Sequence, residues 1–110
     1  MAQKRDAVTA ITGWQTSFWE LMKVAERGVA LMRIFNLREG FTASDDRLPE
    51  RFATPQPTGG LAGVIVDPEE LARAQKLYYG MLGWDGEGVP TEARLVELDI
   101  KWAGEYLERL

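Results

Sequence analysis

Residues 17–38 read SFWELMKVAERGVALMRIFNLR, and this stretch decides the fold class. Phe18, Leu21, Met22, Ala25, Val29 and Met32 recur at helical spacing. Val24, Leu31, Ile34 and Phe35 form a second row that widens the apolar stripe past one face. The pattern predicts one long helix, about 30 Å at 1.5 Å per residue, covered on more than one side. Ser17 and Glu20 have the spacing of a capping box at its start, and Gly40 can terminate it. Gly28 falls in the middle, where glycine costs about 1 kcal/mol relative to alanine. Close approach of another helix is the expected reason for it.

Outward from that helix, no segment alternates well enough to be a strand. Asp6 to Thr12 is a short, weakly apolar helical stretch stopped by Gly13. From Phe41 to Val66 the chain is irregular, broken by Pro49, Pro55, Pro57, Gly59, Gly60 and Gly63. Leu48 and Phe52 suggest that the first half of this loop packs, and 54–63 reads as more mobile. Asp67-Pro68-Glu69-Glu70 is a strong helix start: a capping carboxylate, a proline suited to the first turn, and two acids at the positive end of the dipole. Leu71, Ala74, Tyr78 and Met81 then share one face. Gly83 can end that helix, and Trp84 to Pro90 reads as a turn-rich connection. Thr91 caps a helix carrying Leu95 and Leu98, and 102–110 is helical by pattern. The expected fold is all-α: a small irregular helical domain over 1–110 with one long central helix and a long Pro/Gly-rich loop.

The composition narrows the chemistry. The 110 residues are 45% hydrophobic, enough to bury roughly two-thirds of the unfolded surface in one modest core. The net charge is −4, from 17 acidic and 13 basic side chains, which argues against nucleic acid. No apolar run is long enough to span a membrane, and no signal-peptide pattern is visible, so a cytoplasmic location is expected. Cysteine and histidine are both absent. Their absence removes disulfides, thiolate metal sites, iron–sulfur ligation and imidazole bases together.

Several strings, in order along the chain, carry a resemblance. Residues 33–52 read RIFNLREGFTASDDRLPERF; before them stand TAITGW (9–14) and Glu26-Arg27, and after them Tyr78-Tyr79, Gly83-Trp84-Asp85, Gly88-Val89-Pro90-Thr91 and Leu95 to Leu98. This closely resembles the C-terminal region of the tungsten-containing aldehyde ferredoxin oxidoreductase family, over about Ala7 to Ile100. The sequence departs from the family at Leu82, where arginine is usual, and at Ala25 and Asp99, where glycine is usual. The resemblance implies a complete enzyme that oxidises an aldehyde to a carboxylic acid at a tungstopterin and passes electrons through a [4Fe–4S] cluster to ferredoxin. The family's cofactor ligands, including the last cluster cysteine, precede the region this chain resembles, so no catalytic, cofactor-binding or metal-binding residue carries over. The isolated chain is expected to be inactive.

The family-motif residues Glu26, Arg27, Arg33, Asn36, Arg38, Asp45, Asp46 and Arg51 are therefore read as structural. Asp45 and Asp46 could contribute to a hard-cation site, but capping or pairing with Arg47 or Arg51 is the simpler expectation. Glu26, Arg27 and Arg33 are expected to join the long helix to the loop 36–51 by ion pairs; the competing reading has them line a cavity that other domains complete. Tyr78, Tyr79 and Trp84 are expected in the core rather than against a ligand. The expected partner is the missing catalytic part of the same enzyme. The alternative is an autonomous interaction module of family descent, which would bind itself or another protein.

Overall fold

The computed structural model describes residues 2–108. Among the described residues there are four α-helices: α1 (Ala2–Thr12), α2 (Phe18–Arg38), α3 (Pro68–Met81) and α4 (Glu92–Glu97). Three 3-10 segments, Ala43–Asp45, Glu50–Phe52 and Lys101–Tyr106, lie in the connections and near the end. The described residues contain no strand, only the isolated bridges Gln56–Ala62 and Trp84–Pro90. The all-α expectation holds. The first helix begins at Ala2 rather than Asp6. The last expected helix is instead the 3-10 segment ending at Tyr106, and 109–110 lie outside the described residues.

Helix ends are set by local chemistry. Ser17 Oγ accepts from Glu20 N at 3.1 Å, Asp67 Oδ1 from Glu69 N at 2.9 Å, and Thr91 Oγ1 from Arg94 N at 3.3 Å, each satisfying a donor that the first turn leaves unpaired. The Glu20 carboxylate turns to Arg27 at 2.8 Å, so the capping box at Ser17 is half formed. Three C-termini share one geometry. Gly40, Gly83 and Asp99 have φ of 97°, 73° and 59°. After them Phe41 N, Trp84 N and Ile100 N donate to the carbonyls of Asn36, Tyr79 and Leu95, five residues back. This is the Schellman arrangement, in which a left-handed residue turns the chain back over the last helical turn. It also throws the next residue onto that turn: Trp84 lands on Tyr79, with ring centroids 5.8 Å apart, and Ile100 joins Leu95 in the core.

That core is small. Ala30 and Ile34 of α2 meet Leu95 and Leu98 of α4 and its cap, together with Ile100 and Ala103. Leu98 is fully buried. The remainder of the long helix departs from the sequence reading. Only Ala30, Arg33, Ile34 and Leu37 of α2 are buried, while Phe18, Met22, Val24, Val29, Met32 and Phe35 stay exposed. A Cβ on Gly28 would meet nothing within 4 Å, so no helix closes on it here. On α3 the buried residue is Tyr79, whereas Tyr78 and Met81 of the expected apolar face are exposed. Leu48 and Phe52 are only about half covered.

The outcome is an open frame of 55 × 40 × 21 Å with a radius of gyration of 18.6 Å. A compact single domain of this length would have about 13 Å. The accessible surface is 8370 Å², against about 6,100 Å² for a compact monomer of this mass.

Asp99 is the one described non-glycine residue at positive φ. The left-handed region costs an L-residue roughly 1–2 kcal/mol, less for Asp than for most. Asp99→Gly should therefore stabilise the chain by up to about 1 kcal/mol and raise its melting temperature by a few degrees. Thermal unfolding followed by circular dichroism checks this; an unchanged or lower midpoint would mean that the Asp99 side chain compensates for its backbone.

Candidate functional site

The polar centre of the frame is Arg33. Its position in the sequence places it on the face of α2 that also carries Ala30, Ile34 and Leu37, so its aliphatic stem must be buried with them. It is 8% exposed. A buried guanidinium needs partners for its charge and its donors, and three segments supply them. Arg33 Nε donates to the Gly88 carbonyl at 2.8 Å. Nη1 donates to Asp46 Oδ1 at 3.0 Å. Nη2 lies 2.6 Å from Asp46 Oδ2, an ion pair whose angle falls outside hydrogen-bond geometry, leaving this buried atom without a directional bond. The plane also faces the rings of Trp84 and Tyr79, 5.0 and 5.6 Å from their centroids, where aromatic quadrupoles favour a cation.

Asp46 completes the node. Tyr79 Oη donates to its Oδ2, and Gln75 Nε2 donates to its carbonyl at 3.0 Å and to Tyr79 Oη at 2.9 Å. The Arg33 bond holds the Asp46 carboxyl below the usual carboxylate range, against an opposing effect of burial, with Tyr79 adding to the depression. Burial pushes the Tyr79 phenol up, and its bond to Asp46 pushes it further. Burial disfavours the charged form of Arg33, but Asp46 more than offsets this, so the guanidinium is held charged.

The loop 83–90 is shaped to deliver the Gly88 carbonyl. Asp85 Oδ1 accepts from Glu87 N and Val89 N at 2.9 and 3.0 Å, an Asx-type closure of a tight turn. Gly88 has φ of 72°. A Cβ there would lie 2.8 Å from Tyr79 Cζ and closer still to Arg33 Nη2, so glycine is required on both counts.

A cleft of about 570 Å³ opens over this node between α2, the loop 45–48 and α3. Its floor is Arg33, Asp46 and Tyr79; its walls include Met32, Leu48, Leu71 and Tyr78. Asn36 also lines it, its carbonyl already accepting from Phe41 N at 3.0 Å.

The other motif residues fall elsewhere. Glu26 accepts from Lys23 at 3.0 Å and from Arg94 Nη2 at 2.8 Å, and Arg94 Nη1 and Lys23 both reach Glu97. This four-charge ring joins α2 to α4, not to the loop 36–51. Its hydrogen bonds lower the carboxyls of Glu26 and Glu97 and raise Lys23. Arg27 Nε donates to the Leu98 carbonyl at 2.7 Å. Arg38 pairs with Glu39 on the surface and lies over Phe35. Arg51 lies over Phe52. Asp45 Oδ2 accepts from Thr42 N at 2.8 Å, capping the 3-10 turn. Neither aspartate pairs with Arg47 or Arg51 among the described ion pairs; the partner of Asp46 comes from α2. The sequence reading expected an ion pair from Arg33 to the loop 36–51, and the Arg33–Asp46 pair is one; it did not name Asp46 as the partner. Gly88 was read only as part of the string Gly88-Val89-Pro90-Thr91, and Gln75 was not singled out, because it shows no distinguishing pattern until α2 and α3 are placed.

Residues 2–100 match the family model described as aldehyde ferredoxin oxidoreductase, domains 2 and 3. The tungsten-containing aldehyde ferredoxin oxidoreductase of Pyrococcus furiosus is 36% identical over 98 residues, covering 87% of this chain and 16% of that protein. An aliphatic sulfonate oxidoreductase WOR-like subunit from the same organism is 36% identical over 66 residues, 60% of this chain and 11% of its own length. Among solved structures, the active site complex BamBC of benzoyl coenzyme A reductase, in complex with 1,5-dienoyl-CoA, superposes with a TM-score of 0.78 at 26% identity, over 96% of this chain and 15% of that one. The chain thus spans about a sixth of the length of the relatives it matches.

Asp46→Asn should leave Arg33 buried without a counter-charge. The cost is about 2–3 kcal/mol, below the range for a fully buried pair because Asp46 keeps a third of its side chain in solvent. The pH dependence has a definite sign. A depressed native pKa means that Asp46 contributes fully above the unfolded value, about 3.9, and that the contribution is lost as pH falls through the native value. Urea unfolding between pH 7 and pH 2 should show an acid-side loss that is smaller in Asp46→Asn; parallel curves would contradict the assignment. Gly88→Ala should unfold the node at every pH.

Proposed function

The chain belongs to the aldehyde ferredoxin oxidoreductase family, and from that premise we propose that it serves as the C-terminal, non-catalytic part of such an oxidoreductase. In this reading the complete enzyme oxidises an aldehyde to a carboxylic acid and passes electrons to ferredoxin. Tungstopterin and a [4Fe–4S] cluster reside on the remainder. The observation that carries the reading is the open frame: more than 2,000 Å² of surface beyond that of a compact monomer of this mass, much of it apolar along α2 and α3. That excess is more than the roughly 800 Å² one partner gives to a standard interface and is of the order that large, permanent interfaces take from each side.

The residues present do not fit either cofactor. There is no cysteine to hold an iron–sulfur cluster. No group of three or more acidic side chains among the described residues is placed for a metal ion. The buried cation Arg33, which could suit a pterin phosphate, is engaged by Asp46. What these residues do is mechanical. The Arg33 node and the Lys23–Glu26–Arg94–Glu97 ring hold α2, α3 and α4 at fixed spacing, presenting apolar faces that the larger part covers.

The P. furiosus oxidoreductase and the sulfonate and benzoyl-CoA systems are named for different substrates, yet each contains a segment like this chain. A scaffold role common to all three accounts for that better than a role in substrate choice.

Two outcomes are expected. After desalting, the isolated chain should carry under about 0.1 equivalent of tungsten or iron and should not reduce a viologen dye with any aldehyde. Purified from its native cells by a tag, it should come with, or within, a polypeptide several times its length that contains both metals and shows aldehyde-dependent dye reduction. Stoichiometric metal in the isolated chain, or a native assembly with neither metal, would overturn the reading.

A further inference from the structure

Two depressions on one side of the molecule share walls. The cleft above Arg33 and a smaller one beside it, about 120 Å³ and lined by Met22, Leu82 and Ala30, have Val29 and Trp84 in common. Together they form a continuous apolar groove running from Met22 past Val29 to Met32 along α2, with Tyr78, Leu82 and Leu48 opposite. Met32 is 68% exposed and Tyr78 56%. The charged groups beneath, Arg33 with Asp46 and Glu26 with Arg94, are already paired with one another, and the exposed Asp45 and Arg47 also line the cleft, Asp45 accepting from Thr42 N. A ligand or segment entering the groove therefore meets apolar walls over a neutralised floor, a poor site for a free anion or cation and a good one for apolar side chains.

We propose that this α2/α3 groove is the docking surface for the larger, metal-bearing part of the oxidoreductase, and that it takes an uncharged apolar segment of that part. The proposal rests on the function argued above and adds the face used and the chemistry of what fills it. Three observations favour this occupant. The excess surface of the frame is of interface size. The chain matches only about a sixth of its relatives' length, so a large body exists in them to supply the cover. The floor carboxylates and guanidinium groups are paired with one another, so the base of the groove takes shape and apolarity from its partner rather than a complementary charge.

Methionine gives a direct readout. Met22 and Met32 lie in the groove, and Met81 lies on α3 outside it, 76% exposed. Hydroxyl-radical footprinting is run on the isolated chain and on the native tungsten- and iron-containing protein that carries it. The proposal predicts at least tenfold slower oxidation of Met22 and Met32 in the assembled protein than in the isolated chain. Met32→Glu, introduced into the native protein, should reduce assembly at least tenfold, whereas Leu61→Glu, on the loop, should stay within twofold. Circular dichroism of Met32→Glu should match the parent chain, confirming that the frame survives. Equal oxidation rates in a protein that still assembles with both metals would overturn the groove while leaving the functional reading intact. Protection that appears in the isolated chain and grows with its concentration would make a second copy the occupant and overturn the proposal. Failure to find any metal-bearing assembly would overturn both.

Discussion

The Arg33 guanidinium, set between the Asp46 carboxylate, the Gly88 carbonyl and the rings of Tyr79 and Trp84, ties together segments that share no apolar core. The core proper joins α2 to α4 and to the 3-10 segment after it. Helix α3 packs closely against none of the other helices and is fastened mainly by Tyr79 and Gln75 to Asp46, and through Asp46 to Arg33. A buried ion pair is weak evidence for stability in itself, since well-packed apolar residues often do as well. Its use here is geometric. A guanidinium with a fixed fork of donors sets the distance and angle between three segments, which an apolar contact would leave free to slide.

That division of labour explains the shape. A chain of 110 residues could close into a compact body, yet this one leaves most of the apolar stripe of its longest helix open. Two polar devices, the node at Arg33 and the ring of Lys23, Glu26, Arg94 and Glu97, hold the frame open without consuming that apolar surface. The Schellman turns at Gly40, Gly83 and Asp99 serve the same end by fixing where the chain goes after each helix. The turn at Gly83 also delivers Trp84 onto Tyr79 and over the guanidinium.

Local features were legible in the sequence because their causes are local. The caps at Ser17, Asp67 and Thr91, the terminators Gly40 and Gly83, and the all-α class follow from residue chemistry within a few positions. The reading of α2 as a helix covered on several sides treated apolarity as burial. The stripe is apolar, but what would cover it is not among the described residues, and Gly28 faces open space for the same reason. Of the aromatics expected in the core, Tyr79 is buried and Tyr78 is exposed; the periodic face ran through Tyr78, whereas the Tyr79 hydroxyl reaches Asp46 from across the loop, a contact that periodicity cannot encode. That Arg33 would pair with the loop 36–51 was legible; that Asp46 is its partner was not, because the pair spans 13 positions and the end of a helix.

If the node fastens α3 to the frame, removing its anionic member should release α3 and little else. Native-state hydrogen exchange of the chain and of Asp46→Asn tests this directly. The account predicts that amide protection in α3 drops in the variant toward that of a free helix, while Ile34, Leu95 and Leu98 keep most of theirs. Unchanged protection in α3, or an equal loss throughout the chain, would contradict the claim that one buried guanidinium holds the frame together.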